Sequence, residues 1–376
     1  IFMTPNNVVK EIPSIFYSLM TWVFCGLISL LAALCYAELG LAYPSVGGEY
    51  TYFNKIYHDI FSFTYLITNF FLIRPVCIAM LVLFFGEVSL AMIFDNSIEM
   101  FWTCRIISIV SIILICTLNC FSERLTIILN DVLTYLKFIC MAVIIALGIF
   151  KLSKGEFENV KDPGFTIPVS ASSISSAIYN GMWAYDGFNQ LGYIVDKMKN
   201  KERNLVKATI LGMLSVIIFY SIINCSYLVI LGVDNLGNTT NVAQSVSFPY
   251  LGKYTVFITV MVALSALATA NSFSYSGGNL YFEAAKQGHF PRLFAATHSK
   301  TNTYIPALII QTIITIFFLI VTPNMDVLLI YFSGASWVFY SLVFAGVLIY
   351  RRDKSVTSSF RIWTIIPIVT FLISVL

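Results

Sequence analysis

The run Tyr179-Asn180-Gly181-Met182-Trp183-Ala184-Tyr185-Asp186-Gly187-Phe188-Asn189-Gln190 sets a carboxylate, two glycines and two asparagines into an otherwise apolar stretch. A charge at bilayer depth costs at least about 2.5 kcal/mol on insertion scales, so it persists where it faces protein, a cavity or a ligand. Gly181 and Gly187 each weaken a helix by about 1 kcal/mol, which predicts an unwound stretch whose free N–H and C=O groups can hold a solute. The chemistry on offer is polar recognition by a broken helix, with Asp186 at its centre. The competing reading has Asp186 pairing with a buried base and joining helices.

Lys137, in Leu133-Thr134-Tyr135-Leu136-Lys137-Phe138-Ile139, is the second deep charge. About 12 residues, or roughly 18 Å of helix, precede it and a similar apolar run follows, which favours mid-membrane placement over snorkelling to an interface. Arg74-Pro75 predicts a kink, with Arg74 bonding carbonyls that Pro75 leaves free. Glu87 sits nearer the end of its span and reads as solvated, whereas Glu38 near the end of another span invites a basic partner. Trp183 flanks the broken stretch, and Trp337 follows Ser333-Gly334-Ala335-Ser336, small residues that permit close helix approach.

Enzymatic chemistry finds little footing. His58, His289 and His298 all fall in polar loops, so none offers a base or zinc ligand at bilayer depth. The sequence lacks HExxH, Walker A and dinucleotide motifs, and an intramembrane aspartyl protease needs paired carboxylates where Asp186 stands alone. The eight cysteines lie in or beside apolar segments without metal-ligand spacing and read as packing residues. No metal, cofactor or nucleic acid is implied.

The elements that must position these residues follow from composition. Hydrophobic residues make up 58% of the 376, charged residues 11%, and the mean hydropathy is +0.84, against roughly 25% charged in soluble domains. Apolar runs long enough for about 30 Å of hydrocarbon, apolar on every side rather than alternating as a β-barrel requires, predict an all-α, multi-pass membrane protein. Ten spans are expected: 16–43, 61–94, 106–121, 125–152, 174–195, 205–231, 255–284, 305–321, 327–350 and 363–376. If the loop after the first is cytoplasmic, fourteen of the 22 Lys and Arg fall on that side, including Lys197, Lys199, Lys201, Arg203 and Lys207, and six on the other, as the positive-inside rule requires. Asn238-Thr239-Thr240, a glycosylation sequon, then lies outside, whereas Asn224-Cys225-Ser226 falls inside a span. The chain opens at Ile1-Phe2-Met3 and stops at Leu376 within an apolar run, so it reads as one transmembrane domain over 1–376 cut at both ends.

Three blocks resemble the L-type amino acid transporter family of the amino acid, polyamine and organocation superfamily. They are Cys35-Tyr36-Ala37-Glu38-Leu39-Gly40 with Gly47-Gly48-Glu49-Tyr50, Tyr179 to Gln190 with Asn200 and Arg203-Asn204-Leu205, and Gly288-His289-Phe290-Pro291. Trp183-Ala184-Tyr185-Asp186-Gly187 is most similar to the branch that exchanges cystine and dibasic amino acids for neutral ones. The resemblance implies a LeuT-like fold of two inverted five-helix repeats, with the first helix incomplete and the final helices missing. It implies a substrate site at Ile1, Trp183, Ala184, Asp186, Gly187, Phe188, Asn189 and Trp337. Trp183 would be the aromatic gate, carbonyls near Trp183 and Asp186 would accept the substrate ammonium, and Lys137 would take the place of a sodium ion.

The implied function is sodium-independent exchange of neutral and, through Asp186, cationic amino acids across the plasma membrane by alternating access. A binding or sensing protein that does not cycle, and a polyamine or organic cation transporter, are the alternatives. The family also implies a single-pass heavy-chain glycoprotein partner, yet the loop Phe94-Asp95-Asn96-Ser97-Ile98-Glu99-Met100-Phe101 lacks the linking cysteine. Asn279 where many members have arginine, and Phe188 in place of tryptophan, are further departures.

Overall fold

The computed structural model describes residues 1–91, 98–239, 241–298, 303–322, 324–353, 356 and 358–375. Among these the regular elements are all helices. A short helix α1 (Pro5–Glu11) leads into the long α2 (Ile15–Ala42), followed by α3 (Glu49–Ile56), α4 (Asp59–Thr68), α5 (Arg74–Leu90), α6 (Ile98–Phe121) and α7 (Glu123–Ser153). The second part comprises α8 (Ala171–Ala184), α9 (Lys201–Asn238), α10 (Val242–Leu251), α11 (Thr255–Lys286), α12 (Ile305–Val321), α13 (Met325–Tyr350) and α14 (Ile365–Val375). Among the described residues seven helical stretches are long and apolar enough to cross a membrane, and α12 and α14 are apolar but shorter. The chain is a multi-pass membrane protein.

Each expected span meets a helix except 174–195, which is interrupted after Ala184. The span 61–94 is α4 and α5 joined by a π turn, Asn69–Ile73, just ahead of Arg74-Pro75. Its last residues fall in 92–97, outside the described residues. Of the sequons, Asn224 is buried with its amide bonded to the Tyr220 carbonyl at 2.8 Å. Asn238 ends α9 and is exposed, while Thr240 lies outside the described residues.

In lipid the space between helices is no more apolar than the tails around them, so association rests on close packing and on polar contacts. Both are visible. A Cβ on Gly148 of α7 would stand 2.6 Å from Ser226 Oγ and 3.0 Å from Ser226 Cα of α9, and one on Gly86 of α5 would stand 2.9 Å from the Cys104 carbonyl of α6. Cys104 itself is buried with Sγ directed to the Leu83 carbonyl. Most cysteines are buried as expected, but Cys225 faces outward.

Glu38 supplies a buried, charge-assisted polar contact. Fully buried at the end of α2, its carboxylate accepts from Arg351 Nη2 at 2.6 Å and Nε at 2.8 Å, from the Ile362 N–H at 2.8 Å and from the Tyr350 hydroxyl. The basic partner expected for Glu38 is therefore Arg351, whose guanidinium is held above its ordinary value by the bonded carboxylate. One carboxylate thereby fastens α2 to the end of α13 and to the segment entering α14.

Removing one member of a buried pair strands the other, at a cost of about 3–5 kcal/mol. Glu38→Ala should therefore lower the unfolding temperature of the detergent-solubilised protein more than Glu38→Ala/Arg351→Ala does. Equal shifts would mean that the pair is not coupled. Gly148→Leu should give polydisperse material in size-exclusion chromatography, because a backbone contact cannot yield as a flexible side chain can.

Candidate functional site

The break begins with a well-defined helix. The Ser170 hydroxyl caps α8 by accepting from the Ser173 N–H at 3.1 Å, and the helix runs to Ala184. Gly181, expected to loosen this helix, stays inside it: a Cβ there would meet Cys25 Sγ at 2.9 Å, so its task is close approach to α2. Gly187 is where the chain leaves helical geometry, at φ 109°. No neighbour crowds that position, the nearest being Gln190 Cγ at 3.9 Å, so it is the backbone angle that calls for glycine. Residues 185–189 form turns, followed by the 3₁₀ turns Gln190–Tyr193 and Val195–Lys197 before α9 starts.

A cavity of ≈150 Å³ lies against the break. Trp183, Ala184 and Asp186 form one wall, and Ile1, Phe2 and Met3 of the leading segment form another. Lys137 reaches it from α7, and Ser265, Thr269 and Phe273 from α11. Lys137 points inward because Leu133, Lys137, Cys140, Met141, Ile144 and Gly148 repeat at three- and four-residue spacing, and the apolar members of that stripe are buried. The cavity thus faces an ammonium and a carboxylate at the depth where the helix is broken.

Among the described residues Asp186 is paired with neither a second carboxylate nor a base. Tyr340 of α13 donates its hydroxyl to Asp186 Oδ1 at 2.8 Å. Behind it a smaller chamber is lined by Trp183, Asp186, Phe188, Trp337 and Tyr340. Phe188 is buried there, its ring 5.5 Å from Tyr36 and 5.2 Å from Tyr340, and Trp337 lies 5.7 Å from Tyr340. Tyr340 is also a wall of a third chamber, shared with Glu49, Arg74, Asn189 and Gln190.

Asn189 belongs to this third chamber and not to the cavity of Asp186. Its amide donates to Glu49 Oε1 at 2.6 Å, and Gln190 Nε2 donates to Asn189 Oδ1 at 2.8 Å. Arg74 completes the cluster. Its Nη1 donates to Ser276 Oγ at 2.6 Å and to Gln190 Oε1 and the Phe273 carbonyl at 3.2 Å, with the guanidinium 4.7 Å from the Tyr193 ring centre. The carbonyl it satisfies is on α11, not on its own helix beside Pro75. Glu87 is half-buried rather than fully solvated.

Carbonyls near the break were expected to face a solute. The Trp183 carbonyl already accepts from the Asp186 N–H at 3.2 Å, whereas those of Ala184 and Asp186 accept no backbone hydrogen bond among the described residues. Among these residues no three His, Cys, Asp or Glu converge as a metal site. His289 Nδ1 instead lies 2.7 Å from the Tyr50 hydroxyl, and His58 caps α4.

Tyr340 and the α11 lining were missed in the sequence. Tyr340 lies 154 residues from Asp186 and looks like any other aromatic in an apolar helix. The four-residue steps Ser265, Thr269 and Phe273 did mark one polar-edged helix face and could have been found.

The family model described as amino acid permease matches residues 1–376. The b(0,+)-type amino acid transporter 1 of Mus musculus is 30% identical over 375 residues, covering 100% of this chain and 77% of the relative. The cystine/glutamate transporter of Homo sapiens is 30% identical over 354 residues, covering 94% of this chain and 70% of the relative. The large neutral amino acids transporter small subunit 2 of Homo sapiens is 29% identical over 382 residues, covering 99% and 70%. With a match along its entire length, and with the helical membrane architecture that such a match requires, the chain belongs to the amino acid permease family.

Proposed function

We propose that this chain transports amino acids across the plasma membrane by alternating access, as a sodium-independent exchanger of neutral and cationic substrates. One observation carries the reading: Lys137 and Asp186 line a single cavity beside a break in the helix. A free amino acid is a zwitterion, and free carbonyls at Ala184 and Asp186 suit its ammonium. Trp183 closes over the bound molecule, and Asp186, held by Tyr340, attracts a lysine or arginine side chain. That attraction is strong because both charges leave water together. Trp337, Phe188 and Gly187 shape the far end of the site, while Asn189 acts one layer below by holding Glu49.

Lys137 supplies a fixed positive charge within the bundle in the place a sodium ion would take, so transport needs no sodium. The relatives are named as transporters, and on that ground we read the chain as making no covalent change to its cargo. One relative is named a small subunit, which supports assembly with a heavy chain. The nearest thiol beyond the loop, Cys104, is buried in α6, so we infer a non-covalent association. Co-expression should yield a complex that non-reducing electrophoresis separates into its chains.

In proteoliposomes made with the full-length protein, labelled amino acid uptake should require amino acid inside and be unchanged when sodium is replaced by choline. Uptake into empty, sodium-driven vesicles would overturn the exchange reading, and binding without counterflow would leave a receptor. Competition by putrescine but not by leucine would point to polyamines. A charge-assisted hydrogen bond contributes about 1.5–3 kcal/mol. Asp186→Gly should therefore weaken arginine uptake roughly ten- to a hundredfold while leucine uptake changes little. Equal loss for both would remove Asp186 from a direct charge-pairing role.

A further inference from the structure

The first half of α9 presents one continuous exposed face. Arg203 and Lys207 are exposed four residues apart, and the same face goes on with Leu211 at 64% exposure, Leu214 at 40%, Ile218 at 57% and Ile222 at 43%. Steps of three and four residues stack these side chains in a single stripe. In a multi-pass protein such an apolar face lies against acyl chains. Between Lys207 and Leu211 the surface changes from charged to apolar within one turn, about 6 Å, which puts the two basic heads at the level of the lipid headgroups.

A third cation, Lys199, is exposed in the turn just before the helix. Among the described residues the side chains of Lys199, Arg203 and Lys207 have no acidic partner, whereas Lys201 reaches Asp196 at 4.0 Å. Three uncompensated cations next to a lipid-facing stripe call for an anion that is itself attached to an acyl chain. Basic clusters beside a membrane helix attract anionic lipid at about 1 kcal/mol per Lys or Arg.

We propose that the Lys199–Lys207 end of α9 is a binding site for the phosphate headgroup of an anionic phospholipid in the adjoining leaflet. The site is mechanically linked to the break. Asn204 Nδ2 donates to the Lys199 carbonyl at 2.7 Å, Asn200 takes a left-handed φ of 47°, and Leu205 packs with Val195 and Ala37. Only the two 3₁₀ turns separate this knot from Asn189. A bound headgroup therefore acts on the α9 side of the break.

The test does not depend on what the cavity carries. Full-length protein in detergent is titrated with phosphatidylserine or phosphatidylcholine, and lipid retention is read by native mass spectrometry. Phosphatidylserine should be retained selectively, less so as salt rises. The variant K199Q/R203Q/K207Q should bind it at least about tenfold more weakly, and Lys253→Gln at the opposite end of the bundle should change nothing. The substituted side chains are exposed, and an unchanged elution volume checks that the variant is folded. Equal retention of the two lipids by the wild type, equal retention of phosphatidylserine by wild type and triple variant, or full displacement by inorganic phosphate alone would overturn the proposal.

Discussion

A polypeptide in hydrocarbon has no water to satisfy its backbone, so irregular chain is tolerated only where protein or a cavity encloses it. Everything around residues 185–189 answers to that constraint. The turn after Ala184 sits between α2, α5, α11 and α13, and each contributes a group that meets it: Tyr36 against Phe188, Arg74 on Gln190, Ser276 on the same amide, Tyr340 on Asp186. The break and its casing are therefore one packed unit.

This explains what the sequence disclosed and what it withheld. Spans, the break, the inward Lys137 and the need of Glu38 for a base were legible because each follows from a local pattern weighed against the cost of burying charge. The identity of partners was not, since Tyr340 and Arg351 approach from helices more than 150 residues away. Gly181 and Gly187 look equivalent in one dimension. Only the proximity of Cys25 distinguishes a glycine needed for space from one needed for its backbone angle. The irregularity before Arg74-Pro75 was legible only as a kink, and nothing in the sequence marked it as a π turn.

The polar groups divide into two kinds. Glu38, Arg351 and the Ile362 N–H saturate one another, and Arg74 is similarly shared among Ser276, Gln190 and Phe273. Such nodes hold helices in place because their bonds join one helix to another. Asp186 and Lys137 instead keep part of their capacity facing a cavity. Stability and recognition thus draw on the same residue types, separated by whether their hydrogen bonds are complete.

The inward stripe of α7 constrains how this chain can change over time. Leu133, Lys137, Met141, Ile144 and Gly148 share one face, and each residue advances a helix by about 100°. Inserting or deleting one residue between Lys137 and Gly148 would turn the ammonium towards lipid or move the glycine off Ser226. Substitutions can accumulate on the outer face of α7, but changes in its length cannot. The spacing from Lys137 to Gly148 is therefore fixed for as long as both inward contacts are kept.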